Sequence, residues 1–130
     1  MDGRDLNTRW QQTLLPWRLL AGLVLMAIFW AGLKEKPLPQ YVDRFDLWAH
    51  GLGFFLLTLV LHMAFRRRSP LLLTLLCLLV GLAIEISQHL LPTRSFDWID
   101  FAMDSLGVMA GLVVMLCWQR GAAATAVRTQ

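Results

Sequence analysis

Four apolar runs fill most of this 130-residue chain: Leu14–Leu33, Leu47–Phe65, Pro70–Leu91 and Trp98–Trp118. Each has the roughly 20 residues that a helix needs to cross the hydrocarbon of a bilayer. In lipid every backbone N–H and C=O must find its partner within the protein, so runs of this length fold as spanning helices. The expected architecture is therefore all-α, a polytopic membrane bundle of four transmembrane helices at about 14–33, 47–65, 70–91 and 98–118. One domain over residues 1–130 leaves no room for a soluble one. Composition agrees, because 57% apolar and 16% charged residues give too few charges to coat a soluble domain. The first run ends Phe29-Trp30-Ala31-Gly32-Leu33, bulky where a signal-peptide cleavage site needs small residues, and reads as an uncleaved helix. Cys77 and Cys117 fall inside apolar runs and are expected to be small buried hydrophobes. The small-residue tail Gly121–Val127 is expected to fray.

Lysine and arginine set the orientation. With four spans, the N-terminus, the second loop and the C-terminus share one side. That side carries Arg4, Arg9, Arg18, Arg66, Arg67, Arg68, Arg120 and Arg128; the other carries Lys34, Lys36, Arg44 and Arg94. The positive-inside rule puts both termini and the Arg66–Arg68 turn in the cytoplasm. Trp17 and Trp118 then mark inner boundaries, and Trp30, Trp48 and Trp98 outer ones. The basic pI of about 9.4 follows from these loops. It does not indicate nucleic-acid binding, which needs a basic surface beyond them.

The acids are distributed the opposite way. Asp2 and Asp5 are inside, whereas Glu35, Asp43, Asp46, Glu85, Asp97, Asp100 and Asp104 are on the outer side. Glu85 and Gln88 stand within an otherwise apolar spanning run, where an ionisable side chain costs at least a few kcal/mol and usually has a function. Glu85 lies six residues before Leu91 and Asp104 six after Trp98. At ~1.5 Å per residue each is roughly 9 Å below its helix end. His50 is one turn into its own helix.

Helical spacing decides which groups share a face. Asp46 and His50 are i, i+4, with Gly53 continuing the stripe; Glu85, Gln88 and His89 are i, i+3, i+4, with Gly81 a turn earlier. Asp97, Asp100, Asp104, Gly107 and Gly111 run down one face of the last helix. Glycines at this spacing permit close helix approach, so the polar stripes should face the bundle interior. Simpler roles account for part of the pattern. Asp43 and Asp97 have cap positions at helix starts, followed by Asp46 and Asp100 where the dipole favours acids. His62 is expected at the interface beside Arg66–Arg68, itself a topology signal for anionic headgroups. Capping does not reach His50, Glu85, Gln88 or Asp104.

The pattern Asp46-x-x-x-His50, Gly81-x-x-x-Glu85-x-x-Gln88 and Arg94-x-x-Asp97-x-x-Asp100-x-x-x-Asp104-x-x-Gly107 resembles the VanZ-like membrane proteins, over about residues 40–115. Two positions depart from it: Leu47 stands where the family often has Lys, and Asp104 where it often has Asn. The resemblance implies a single VanZ-like transmembrane domain in the bacterial cytoplasmic (inner) membrane and work in the cell envelope. Teicoplanin, a glycopeptide, gave the family its founding resistance phenotype. The resemblance implies no established reaction.

The residues themselves allow several chemistries. Carboxylates sharing a partly dehydrated pocket do not all stay ionised cheaply, so at least one should hold a proton. Arg94 can bridge two acids or hold a phosphate bidentately. His50 beside Asp46 has the spacing of an oriented general base. Asp and His in this number can also hold a divalent cation, although no tight metal motif such as His-Glu-x-x-His is present. The candidate ligand-binding set is Asp46, His50, Glu85, Gln88, Arg94, Asp97, Asp100 and Asp104, with Asp46, His50 and Glu85 the candidates for any catalysis. Three functions fit. The first is a pocket that binds or moves an envelope lipid or lipid-linked precursor, and it is the leading expectation. The second is an intramembrane hydrolase or transferase acting on a lipid phosphate. The third is a small scaffold locked by its polar network.

Overall fold

The computed structural model describes residues 3–33, 45–91 and 97–128, with side-chain surroundings for 14–33, 45–91 and 97–121. Four helices follow in chain order: α1 Gly3–Leu33, α2 Phe45–Ala64, α3 Pro70–His89 and α4 Trp98–Arg128. Among the described residues there is no strand. All four are long and apolar enough to span a membrane, over Leu14–Leu33, Phe45–Ala64, Pro70–His89 and Trp98–Gly121, the arrangement of a multi-pass membrane protein. Large apolar side chains such as Leu19, Met26, Trp48, Leu71, Leu79 and Leu106 point outward. In water so much exposed apolar surface would drive association, whereas in a bilayer it is the lipid face.

Two helices outrun the membrane-length segments read from sequence. α1 begins at Gly3, and α4 continues to Arg128 through the tail expected to fray. Ala122, Ala123, Ala124 and Ala126 have the highest intrinsic helix propensity, so the tail extends the preceding helix rather than ending it. α3 starts on Pro70, whose missing N–H falls where a helix has no acceptor to offer. The Phe65–Ser69 turn closes with Arg68 N–H donating to Phe65 O at 2.8 Å, folding α3 back along α2.

α2 is the organising helix. It packs most extensively on α4, next on α1 and also on α3; α1 and α4 do not meet among the described residues. The α2–α4 seam is built on glycine. A β-carbon on Gly107 would fall on the Gly51 carbonyl, and one on Gly111 would lie 2.8 Å from Thr58 Cβ and 3.1 Å from Phe55 O. With hydrogen in those places the two backbones touch, as at small-residue helix pairs in membranes. Phe54, Leu57, Cys77, Ile84 and Val108 form the core beneath, joined by Val24 and Ile28 of α1. At the opposite end Ala21, Val60 and Ala64 pack together, and the Arg18 guanidinium sits 5.6 Å from the Phe65 ring centroid. This cation–π contact ties α1 to the basic turn.

Of three side chains read from sequence, Cys117 departs from that reading. His62 lies in the last turn of α2 beside the basic turn, with its ring buried and Nδ1 2.8 Å from Thr58 O. Cys77 is buried as expected. Cys117 is exposed on the outer face of α4, where a thiol meets lipid as readily as core.

Candidate functional site

The end of the bundle where α1 and α3 finish and α2 and α4 begin gathers the ionisable groups. α3 brings Glu85, fully buried. Its Oε2 accepts the backbone N–H of Asp97 at 3.1 Å, and its Oε1 is buried with no hydrogen-bond partner. α4 brings Asp104, only 2% exposed, whose Oδ1 lies 2.9 Å from His50 Nδ1 of α2 while Oδ2 is unpartnered. Gly81 makes the seat for that carboxylate, since a β-carbon there would lie 3.2 Å from Asp104 Oδ2 and 3.5 Å from the Phe54 ring. Because Asp104 takes Nδ1, the other ring nitrogen of His50 is directed elsewhere; Nε2 is 4.0 Å from Asp100 Oδ2. The side chains of His50 and Asp100 are 16% and 13% exposed, so the cluster is only partly open to its surroundings.

The remaining candidates take different places. Gln88 turns away from the acids and donates from Nε2 to Gly32 O at 2.9 Å. Gly32 is the penultimate residue of α1, where helix carbonyls lack an intrahelical partner, so this bond completes the helix end and pins α1 to α3. Asp97 is exposed; its Oδ1 accepts the N–H of Ile99 at 2.8 Å, which makes its side chain the cap of α4 and leaves only its backbone touching Glu85. Asp46, in the first turn of α2, is not the partner of the imidazole; it shares a cavity wall with His50 instead. Arg94 lies outside the described residues. His89 is exposed.

That cavity has a volume of about 280 Å³ and lies between α1 and α2, with Gln88 of α3 also lining it. Asp46, His50 and Gln88 provide its polar end. Val24, Ile28, Phe54 and Leu56 provide an apolar wall. Along α1 the lining runs from Val24 to Gly32, which is roughly 12 Å of helix at ~1.5 Å per residue. The contribution of α1 was not visible from the chemistry of its residues, because Ala27, Ala31 and Gly32 carry no functional group. The available signal was the i, i+4 pairing of small residues Ala27 and Ala31, which leaves a groove on that face.

The fold and site define a four-helix membrane protein with one imidazole and three carboxylates gathered at one end of the bundle. The chain matches the VanZ/LLP1 family over residues 5–119 and belongs to that family. It is also similar to an uncharacterized protein of the fission yeast Schizosaccharomyces pombe, with 33% identity over 108 residues. The aligned region is 79% of this chain and 65% of the yeast protein, so the chain spans a little under two thirds of that relative's length. No solved structure matches the chain.

Proposed function

We propose that the protein binds or moves a lipid with a phosphate headgroup, such as a polyprenyl phosphate or a lipid-linked envelope precursor. The observation that carries this reading is a mostly apolar cavity with one polar end: an apolar wall of about two helical turns leads to Asp46, His50 and Gln88. Such a shape suits an acyl or isoprenoid chain below a polar head, because ligand sites are mostly apolar with a few placed polar groups. Lying between two membrane-spanning helices, the cavity is placed for a ligand supplied by the bilayer. The formally negative acids at the polar end need a counter-charge to admit a phosphate, and Arg94 of the α3–α4 connection is the nearest cation in sequence. A relative in a fungus favours a ligand class common to bacteria and fungi, which phosphate-headed lipids are. Teicoplanin resistance would follow where the bound lipid carries cell-wall precursors.

The test is titration of the detergent-purified protein with a polyprenyl phosphate and with the alcohol of equal chain length. The phosphate should bind more tightly than the alcohol. Ala49→Phe, which fills the cavity from α2, should weaken the phosphate at least tenfold, a loss of about 1.4 kcal/mol. Equal affinity of wild type and Ala49→Phe, or of phosphate and alcohol, would contradict the reading.

The polar end belongs, in this reading, to the outer side of a bacterial inner membrane, with both termini in the cytoplasm. Single cysteines in a background lacking Cys77 and Cys117 check this. Gln40→Cys and Ser95→Cys should react with an impermeant reagent added to whole cells, and Ser69→Cys should not. Labelling of Ser69→Cys alone would reverse the orientation.

A hydrolase remains the second reading, favoured by the 2.9 Å contact of His50 with Asp104, an oriented base. Among the described residues, Ser87 and Ser105 do not supply a nucleophile to it. Ser87 Oγ donates to Ala83 O and Ser105 Oγ to Phe101 O, each on its own helix. Hydrolysis here would use water, and release of phosphate from the titrated lipid, abolished in His50→Gln, would establish it.

A further inference from the structure

We propose that His50, Glu85 and Asp100 form a binding site for a first-row divalent cation of the Mn²⁺ or Zn²⁺ type. Each residue offers one ligand atom, and the three atoms lie within 4.8 Å of one another. Around such an ion, donors about 2.0–2.2 Å from the metal stand roughly 3–4 Å apart. His50 Nε2 and Asp100 Oδ2 are 4.0 Å apart, at the upper end of that spacing, and the set as a whole, within 4.8 Å, must draw inward to close on an ion. Two carboxylates and one neutral imidazole balance the two positive charges, and a mixed nitrogen and oxygen set suits Mn²⁺ or Zn²⁺ better than a thiolate-seeking ion.

Two independent observations point to a ligand rather than to a fortuitous acidic cluster. Glu85 is fully buried, yet Oε1 has no hydrogen-bond partner. A buried carboxylate oxygen left without a partner costs free energy, and a cation supplies what no protein group does. The second is the orientation of His50. Its Nδ1 is held by the buried carboxylate of Asp104 at 2.9 Å, which directs Nε2 toward Asp100. A carboxylate behind an imidazole is the usual outer-shell support of a metal-binding histidine, fixing its tautomer and raising its basicity. The Asp97 N–H does the same for Glu85, engaging Oε2 and leaving Oε1 for the ion. The Asp46 and Gln88 side chains stay outside the set, in the adjoining cavity. His50 belongs to both, so a bound cation would sit beside the polar end of that cavity.

The site stands without the lipid reading, and its test uses no lipid. Chelator-treated full-length protein in detergent is titrated with Mn²⁺, with uptake counted by elemental analysis and the environment read by pulsed electron paramagnetic resonance. The wild type should take up about one Mn²⁺ per chain at micromolar free metal, with an imidazole nitrogen coupled to the ion. Glu85→Gln and Asp100→Asn should each weaken binding at least tenfold, His50→Gln should abolish the nitrogen coupling, and Asp104→Asn should cost about 10- to 100-fold. Gly22→Ala, where an added β-carbon meets nothing within 4 Å, should bind as the wild type does. Helix content and elution profile are recorded for each variant, and the nitrogen coupling is read on the wild type itself, so a variant that fails to fold does not decide the matter. Absence of stoichiometric uptake by the wild type, or an ion with no imidazole coupling that Glu85→Gln and Asp100→Asn leave unchanged, would overturn the proposal.

Discussion

Gly107→Ala will destabilise the bundle by about 3 kcal/mol or more, at or above the top of the usual range for overpacking. The added methyl meets the Gly51 carbonyl and comes within 3.0 Å of Phe55 N. Both obstacles are backbone, so no rotamer change relieves the overlap and α2 must move away from α4. That movement would open the most extensive helix contact among the described residues and separate His50 from Asp104, which face each other across it. Gly22→Ala is the control. A β-carbon there meets nothing within 4 Å, so the change should be neutral or stabilising by up to roughly 1 kcal/mol through helix propensity. Unfolding in mixed detergent compares the two substitutions in one membrane protein, and similar stability of both would refute the close packing of α2 on α4.

The second large effect concerns Glu85. Glu85→Gln should insert, fold and resist detergent like the wild type, yet bind the phosphate-headed lipid at least tenfold more weakly, about 1.4 kcal/mol or more. Folding should survive because the amide oxygen can still accept the Asp97 N–H now bound to Oε2, and the shape is unchanged. Binding should not, because the substitution removes the negative charge that would hold a cation beside the cavity. A purely structural network gives a different result. There, neutralising a buried acid is tolerated or even stabilising, since buried ionic groups often contribute little net free energy. A Glu85→Gln protein with unchanged lipid affinity would therefore make Glu85 a structural group rather than part of the binding site.

The sequence made the fold legible because bilayer thickness imposes one length on every span. Runs of about 20 apolar residues have few other solutions in lipid. Helix ends beyond the bilayer were not constrained that way, and the alanine-rich tail was misjudged because small residues read equally as coil or helix until something precedes them. For the site, the informative quantity was the cost of an ionisable group in an apolar helix, which singled out Glu85, His50 and Asp104. Periodicity then reached its limit. It registers neighbours three or four residues apart, so it paired His50 with Asp46, whereas the structure sets His50 against Asp104, 54 residues away on another helix. The inward turn of Gln88 toward Gly32 and the wall supplied by Ala27 and Ala31 depend on how α1 docks, which no local pattern encodes.

A lipid that enters from the bilayer should stay with the protein when the bilayer is removed gently. Native mass spectrometry of the protein released from membranes in a mild detergent measures this directly. The wild type should carry an additional mass that fragments to a phosphate-headed lipid, and Ala49→Phe should appear without it. A bare wild-type chain with its helices intact, or the same lipid on both proteins, would contradict a ligand held in the cavity between α1 and α2.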